Sequence, residues 1–311
     1  MKFLQKYKLY VQIHKIMKKM RNVSIHLITI LLVIVCLIIA PIQIKIAEEN
    51  NNTTIYVDND AEAGWYDSTH VKTIQEGIDN SSTGDTVFVY NGSYFETIII
   101  KKSINLIGEN KNSTIINGNN SSYPVLEISA EYVKVSDLTI KNSEIGIYLE
   151  NTSGSNIIDK NIIKGCSKAI YLLDSHKNLI TNNTIKDNNI GISLNLSYKN
   201  NFFYNNFINN SKHAKENGEN IWYGNKTRIG NYWDNYNGFD KNNDGIGDIP
   251  YKLPNGKNKD KFPLMNPYYG KVVKDLYYDL ELVLKILVIG VVLSIIFLLP
   301  IAYYWRKKYF K

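Results

Sequence analysis

The sequence predicts an all-β fold over the middle of the chain, in the form of a parallel β-helix solenoid. Residues 144–210 contain three consecutive segments with nearly the same pattern, in which Ile147 recurs as Ile170 and Ile192 at steps of 23 and 22 residues. Each segment has short runs of Ile, Leu and Val separated by Asn, Gly, Ser and Asp, which is typical of short strands and turns. A fixed period of this length indicates stacked structural units.

Each repeat contains three short predicted strands, at 147–149, 157–158 and 162–163 in the first copy. Strands of successive coils would pair in parallel, roughly 4.8 Å apart, so that equivalent side chains lie in columns. The predicted inward columns are Ile147, Ile170, Ile192; Leu149, Leu172, Leu194; and Val135, Ile158, Ile180, Phe202. A leucine-rich repeat has a similar period, but its leucine spacing and its helical half are missing from these segments.

A polar column is also predicted. Asn161, Asn183 and Asn205 recur at a step of 22 between two apolar runs. We expect them to form an internal amide ladder at a turn, because a bend leaves backbone carbonyls that need a hydrogen-bond donor.

The two ends of the chain differ in composition from its middle. Residues 1–44 carry seven Lys or Arg and no acid, and residues 286–311 carry four and no acid. The intervening part has 25 basic and 29 acidic side chains, although the whole chain has a net charge of +7. A basic nucleic-acid surface is therefore not expected.

Both ends contain an apolar segment. Residues 1–24 are a basic segment, and 25–46 are a signal peptide or, because the cleavage signals are poor, a transmembrane signal anchor. Residues 286–305 are long and apolar enough for a transmembrane helix, and 306–311 form a basic tail. The positive-inside rule places both termini in the cytoplasm and the β-helix on the extracytoplasmic side of the cell membrane. Asn-X-Ser/Thr triplets, as at Asn91, would be open to glycosylation there.

The extracytoplasmic part divides into a β-helix at 54–236, an Asp- and Asn-rich loop at 237–252 and a connector at 253–284. The first strand is predicted at 54–57. A helix is predicted at 71–79.

Val71, Ile74 and Ile78 would share one face of this helix. The end of a solenoid exposes apolar side chains and strand edges, so the helix is expected to cap the N-terminal end.

Two motifs resemble a known family. They are TIQEGIDNSSTGDTVFVYNGSYFETIIIKKSINLIGE at 73–109 and GNYWDNYNGFDKNNDGIGDIPY at 230–251. The first is similar to the opening, and the second to the C-terminal motif, of NosD-like parallel β-helix surface proteins of the pectin-lyase-like superfamily. The resemblance covers about 54–252 and implies a right-handed coil. It also implies an association with periplasmic copper or with carbohydrate.

A polysaccharide-active lyase or hydrolase is the first alternative function. A glycosidase needs two carboxylates about 5–9.5 Å apart, but Asp159 is followed in its column by Thr181 and Phe203. A pectate-lyase-like site needs a strong base, and Arg228 lies beyond the repeats. The sequence therefore favours a module without catalysis.

A copper-handling accessory protein is the second alternative. Copper needs imidazole or sulfur ligands at matching positions. His70, His176, His213 and Cys166 do not recur at whole coils, and the histidines are interpreted as solvated loop residues. A native copper site is therefore not expected.

A calcium site is predicted in the Asp-rich loop. Asp240, Asn242 and Asp244 match the first half of an EF-hand-like loop, and Asp248 stands at the ninth position. The twelfth position is Tyr251 where an EF-hand has Glu. We expect Asp240, Asn242, Asp244 and Asp248 to be the ligands, the alternative being a turn that binds no ion.

A ligand-binding surface is predicted on the outer wall. Tyr148, Tyr171 and Ser193 occupy equivalent outward positions on successive coils, and sugars stack on such rings. Tyr is also simply a good strand residue. The small neighbours expected to leave the rings uncovered are Gly146, Ala169 and Gly191.

A second aromatic cluster contains Trp222 and Trp233, which either contact ligand or cap the solenoid. The predicted function is a membrane-anchored cell-surface module that binds carbohydrate or an envelope component.

Overall fold

A computed structural model describes residues 52–152, 154–254 and 257–270, and these wind into an all-β parallel solenoid of about seven turns. The predicted membrane segments at 25–46 and 286–305 lie outside the described residues. Within the described part of the chain, no helix has the length and apolar character that crossing a bilayer requires.

The described residues contain twenty strands and one α-helix. The helix α1 spans Ile74–Asn80. The strands are β1 (Thr54–Val57), β2 (His70–Val71), β3 (Thr86–Val89), β4 (Gly92–Tyr94), β5 (Ile98–Ile100), β6 (Asn105–Gly108), β7 (Thr114–Ile128), β8 (Lys134–Ser136), β9 (Thr139–Glu150), β10 (Ile157–Asp159), β11 (Ile162–Leu173), β12 (Leu179–Thr181), β13 (Thr184–Lys186), β14 (Ile190–Asn195), β15 (Asn201–Phe203), β16 (Asn206–Ile208), β17 (Lys212–Lys215), β18 (Tyr232–Trp233), β19 (Tyr251–Lys252) and β20 (Lys259–Asp260).

Two parallel sheets form the walls of the coil. The first has the order β15-β12-β10-β8-β6-β3-β1-β2. The second contains β18-β16-β13-β11-β9-β7-β4, with β14, β17 and β5 paired along the same wall. Strand β11 shows the repeat most clearly, because its first part pairs with β13 and its second part with β14. The short ribbon of β19 and β20 is antiparallel.

The predicted inward columns are confirmed. Ile170 pairs with Ile147 on one side and with Ile192 on the other, and all three side chains are buried. The Leu149, Leu172 column is in register in the same way, and the column from Val135 to Phe202 runs through β8, β10, β12 and β15. Burial of one such side chain contributes about 1.5–3 kcal/mol, so the columns are the main apolar contribution to folding.

The predicted amide ladder is confirmed and extends further than expected. The backbone N–H of Asn161 donates to Oδ1 of Asn183 (2.9 Å), and that of Asn183 donates to Oδ1 of Asn205 (3.1 Å). The N–H of Asn205 then donates to Asn231 (3.1 Å), and the N–H of Asn231 donates to the carboxylate of Asp260 (2.6 Å). We call these five residues the inner ladder.

Each asparagine side chain of the inner ladder also donates hydrogen bonds to backbone carbonyls at the bend. The Nδ2 of Asn183 donates to the carbonyls of Ile158 and Thr181, both at 2.8 Å, as well as to Oδ1 of Asn205 (3.0 Å). The residues before Asn161, Asn183 and Asn205 have a left-handed backbone, as at Lys160 (φ 57°). The bend therefore leaves buried carbonyls, and the asparagine side chain satisfies them.

Other turns have ladders that the sequence analysis did not identify. The first comprises Asn156, Asn178, Asn200 and Asn220. A second joins Asn188 to Asn210 (3.1 Å). In a third, the backbone N–H of Ser175 donates to the hydroxyl oxygen of Ser197 (3.0 Å).

The N-terminal helix is present but shorter than predicted. Helix α1 begins at Ile74, because the side chain of Thr73 accepts a hydrogen bond from the N–H of Glu76 (3.2 Å). The carboxylate of Glu96 accepts from the first N–H groups of the helix, including that of Ile74 (3.0 Å). The prediction that Val71 belongs to the helix is wrong, since Val71 pairs in strand β2.

Helix α1 packs its buried face on the first coil. Ile74 and Ile78 are fully buried. A Cβ on Gly77 would lie 2.9 Å from Cγ2 of Val57 and 3.0 Å from Cγ1 of Val87, so the absence of a side chain lets the helix approach the strands closely.

The C-terminal end is closed by stacked aromatic rings. Phe202 stacks on Trp222 (centroids 4.3 Å apart), and Phe207 stacks on Trp233, also at 4.3 Å. Tyr251 continues the second stack at 4.3 Å from Trp233. Both tryptophans are buried, so the cluster caps the solenoid and these two rings are not ligand contacts.

The inner ladder ends at a buried carboxylate. Oδ2 of Asp260 accepts hydrogen bonds from Asn231 and from Nε1 of Trp233 (3.0 Å), and Oδ1 accepts from the N–H of Phe262 (3.0 Å). A Cβ on Gly230 would lie 1.8 Å from Oδ1, so the fit requires glycine there. Burial raises the pKa of Asp260 to about 6.

The inner ladder predicts the effect of Asn183→Ala. The substitution leaves two buried carbonyls and one buried N–H without their partners, and each such loss costs about 1–3 kcal/mol. We expect the free energy of unfolding to fall by about 3 kcal/mol or more in urea titrations. The matched control is Asn189→Ala at an exposed turn, and equal losses for the two variants would show that the ladder is not stabilising.

Asp260 predicts a pH dependence of stability. Its folded pKa of about 6 lies above the unfolded value of about 3.9, so its contribution is complete below pH ~3.9 and is lost as the pH rises through 6. We expect wild type to lose about 3 kcal/mol relative to Asp260→Asn across that interval, measured by urea unfolding at a series of pH values. A difference that stays constant with pH would contradict the raised pKa.

Candidate functional site

The two predicted platform tyrosines form a stacked pair on the outer wall. Tyr148 on β9 pairs in register with Tyr171 on β11, and their ring centroids are 5.4 Å apart with an interplanar angle of 20°. Both residues are half-buried. Ser193 follows Tyr171 in the same column on β14. The structure thus brings together the three residues that the sequence predicts as ligand-binding.

Ser193 forms the floor of a depression beside the rings. It is 6% exposed, although it points outward, because it lies between the longer side chains of Tyr171 and Lys215 in the column. The depression has a volume of about 380 Å³. Its lining residues are Lys168, Tyr171, Ser193, Leu194, Asn195, Lys215, Glu216 and Asn217. We call it the outer-wall depression.

Charged groups surround the platform. Burial raises the pKa of Tyr148, and the neighbouring carboxylate of Glu150, which hydrogen-bonds the phenol, raises it further. The ammonium of Lys168 lies 5.3 Å from the ring centroid of Tyr171 and 3.7 Å from a carboxylate oxygen of Glu144. The phenol of Tyr148 therefore stays neutral over the physiological pH range, and the platform is bordered by both charge signs.

The small residues next to the platform have a packing role that the sequence analysis did not predict. Gly146, Ala169 and Gly191 are all buried. A Cβ on Gly146 would lie 2.5 Å from the carbonyl oxygen of Ala169, and one on Gly191 would lie 2.5 Å from that of His213. These positions are small because the backbones of adjacent coils approach closely there.

Glu216 is a site residue that the sequence analysis missed. It is 7% exposed, and its carboxylate accepts hydrogen bonds from Nε1 of Trp222 (3.0 Å) and Nδ2 of Asn258 (2.7 Å). Burial raises its pKa. Glu216 follows Leu194 by 22 residues, so it occupies the next position of the Leu149, Leu172, Leu194 column. An acidic residue in this apolar column was the signal that the sequence offered. Asn258 comes from outside the repeats and had no such signal.

The three histidines within the described residues lie in separate environments, each beside an aspartate. His70 contacts Asp67 (3.0 Å) and His176 contacts Asp174 (3.2 Å). The prediction of a solvated loop is wrong for His213, which is 5% exposed.

The Nε2 atom of His213 lies at hydrogen-bond distance, 2.8 Å, from the carboxylate oxygen Oδ1 of Asp234. Burial lowers the pKa of His213, although Asp234 acts in the opposite direction. In the described ranges, no three His, Cys, Asp or Glu side chains form a group that could hold a metal ion.

The Asp-rich loop is ordered by its own carboxylates. Asp240 accepts from the N–H of Asp244 (3.3 Å) and of Gly245 (2.8 Å), and Asp248 accepts from the N–H of Lys241 (2.9 Å). The amide of Asn242 donates to the carboxylate of Asp244 (2.9 Å).

The donors are carboxylate and amide oxygens, which suit Ca²⁺. In this arrangement the aspartates bond backbone N–H groups of the loop rather than converge on one point.

A further aromatic group lies on the outer face of the first coils. Tyr56 stacks on His70 (5.3 Å) and Tyr90 (6.2 Å), and Trp65 packs edge-on against His70 (4.7 Å). Phe88 packs on Tyr90 at 5.3 Å. The signal in the sequence was the alternation of Phe88 in β3 and Tyr90 just after it.

Parallel coils with columns of like side chains and an outward wall carrying aromatic and charged groups define a parallel β-helix protein. The chain belongs to the NosD family, since the family described as "Periplasmic copper-binding protein (NosD)" matches residues 42–238.

Two curated relatives match shorter stretches. The "Probable ABC transporter binding protein NosD" of Stutzerimonas stutzeri is 35% identical over 95 residues, which is 30% of this chain and 22% of the relative. A "Cell surface glycoprotein" of Methanothermus fervidus is 36% identical over 91 residues, which is 29% of this chain and 15% of the relative. The chain thus spans less than a quarter of the length of either relative.

Solved structures give more distant matches. Pectin methylesterase PemA from Erwinia chrysanthemi is 14% identical, with a TM-score of 0.41. The match covers 52% of this chain and 56% of that chain.

Proposed function

We propose that the chain is a membrane-anchored cell-surface module that binds carbohydrate or another envelope component on its outer wall, without catalysis. The observation that carries the proposal is the stacked pair of Tyr148 and Tyr171 beside the outer-wall depression. Flat aromatic surfaces attract the C–H faces of sugar rings, and a few polar groups beside them fix the orientation of the ligand. Asn195 and Asn217 provide such groups here.

The location is part of the same proposal. The family is described as periplasmic and one relative is named a cell surface glycoprotein, which supports an extracytoplasmic β-helix. The apolar segments 25–46 and 286–305 are the proposed anchors, with both termini in the cytoplasm. The coil is proposed to be right-handed, as in the proteins that the two end motifs resemble.

A polysaccharide-active enzyme is the second candidate, and Glu216 is the observation that favours it. A buried carboxyl with a raised pKa at the edge of a depression has the properties of a general acid. Its two oxygens, however, accept from Trp222 and Asn258, which supports a role in holding the C-terminal end together. Release of reducing ends from a bound glycan, lost in Glu216→Gln, would favour the enzyme.

Copper handling is suggested by the family description but is not supported by the positions of the histidines. His70, His176 and His213 each pair with a different aspartate in a different part of the solenoid. The outer-wall platform therefore remains the basis of the proposed function.

Calcium binding by the Asp-rich loop is a separate proposal. Asp240 already ties the N–H groups of Asp244 and Gly245, which holds the loop in a tight turn with oxygen donors on it. Rotation of the Asp244 and Asp248 side chains toward Asp240 and Asn242 would complete a site of four oxygen-bearing residues.

The platform predicts the effect of Tyr171→Ala on glycan binding. Loss of one stacked ring is expected to weaken binding by about three- to tenfold, and the variant lacking both Tyr148 and Tyr171 is expected to lose detectable binding. Wild type is screened on a glycan array, and affinities for the glycans it selects are then measured. Tyr123→Ala removes a ring that is 70% exposed elsewhere and is the control. Equal affinities for Tyr171→Ala and the control would contradict the proposal.

The calcium proposal predicts a shift in thermal stability. At ~10 mM Ca²⁺, we expect the melting temperature of wild type to rise by about 5 °C and that of Asp244→Ala to stay unchanged. Mg²⁺ at the same concentration and the exposed-site variant Glu62→Ala serve as controls. If the melting temperature of wild type does not change with Ca²⁺, the loop is a turn that binds no ion.

A further inference from the structure

The outer-wall depression continues into a longer groove around the C-terminal coils. A second depression of about 270 Å³ shares Glu216 and Asn217 with it and extends to Lys257 and Asn258. A third, of about 390 Å³, shares Lys257 and Asn258 with the second and reaches Lys199. Because each depression shares two residues with the next, the three lie side by side around the C-terminal coils, and we call them together the C-terminal groove.

The exposed charges along this groove are mostly basic. Lys168, Lys215, Lys257 and Lys199 follow one another from the platform to the far end. The carboxylate of Glu216 faces them, but it is buried and accepts hydrogen bonds from neighbouring side chains.

Glu219 is an exposed acid at the far end of the groove, and Glu144 lies 3.7 Å from Lys168 outside it. The basic excess is local, since the residues between the two terminal segments carry more acids than bases.

We propose that the C-terminal groove binds an extended acidic polysaccharide, whose repeating carboxylates pair with the lysines while one ring stacks on Tyr171. This inference rests on the proposed carbohydrate function and assigns the class of glycan. A polymer fits better than a single sugar because the three depressions follow one another and the lysines are distributed along all of them. A nucleic acid fits less well because stacking needs a ring for successive bases, and the lining includes one tyrosine.

The experiment uses the full-length chain and three probes. These are an oligomer of a uronic acid, the same oligomer with its carboxylates methyl-esterified, and a single-stranded RNA homopolymer. The test variant is Lys215→Gln/Lys257→Gln, and the matched control is Lys186→Gln/Lys226→Gln, which removes the same charge outside the groove. Binding is measured at low and high salt.

The expected result is that the uronic acid oligomer binds more tightly than its ester and that salt weakens its binding. The test variant is expected to lose about three- to tenfold in affinity for the acidic oligomer and to keep its affinity for the ester, whereas the control variant stays at the wild-type value.

Three results would overturn the inference. If the ester and the acid bind equally and Tyr171→Ala weakens both, the platform binds sugar rings but the groove does not select acidic ones, so the proposed function stands alone. If the RNA binds as tightly as the uronic acid oligomer, the groove is a general polyanion surface. Absence of binding to every glycan, on the array as well as here, removes the proposed function too.

Discussion

The structure depends on how the buried bends of the coil satisfy their backbone groups. The chain must turn several times in each 22 or 23 residues, and at these turns it cannot continue the hydrogen bonding of the strands. The asparagine side chain supplies both the missing donor and the missing acceptor, as Asn183 does for Ile158, Thr181 and Asn161. With the bends fixed, the apolar columns fall into register, and the outward positions, including the tyrosine platform, follow from that register.

Much of the fold could be predicted because the repeat is carried by side chains that are visible in the sequence. The Ile147 column and the central part of the inner ladder follow from counting 22 or 23 residues. What could not be predicted depends on the backbone or on distant segments. Lys160 and Tyr204 adopt a left-handed conformation (φ 57° and 60°) that their residue types do not favour, because tertiary packing imposes the bend on them.

The candidate site divides in the same way. The stacking of Tyr148 on Tyr171 followed from register, whereas the depression and its continuation depend on Asn258, which returns from a segment without the period. Glu216 breaks a leucine column, and that break marks the place where the repeat meets the returning segment. Sequence periodicity thus predicts the walls of the solenoid well and its closed end poorly, since each end is built once and has no second copy to compare with.

The hydrogen bonds of the inner ladder all run in the same direction along the solenoid, and this direction matters at the last residue, Asp260. Every backbone N–H in the ladder points toward the following coil, so the last one, that of Asn231, needs an acceptor beyond the repeats. Asp260 places a carboxylate there, which accepts hydrogen bonds but has no amide group to support carbonyls of another bend. The inner ladder therefore ends at this carboxylate, and a further coil would need an amide side chain in its place.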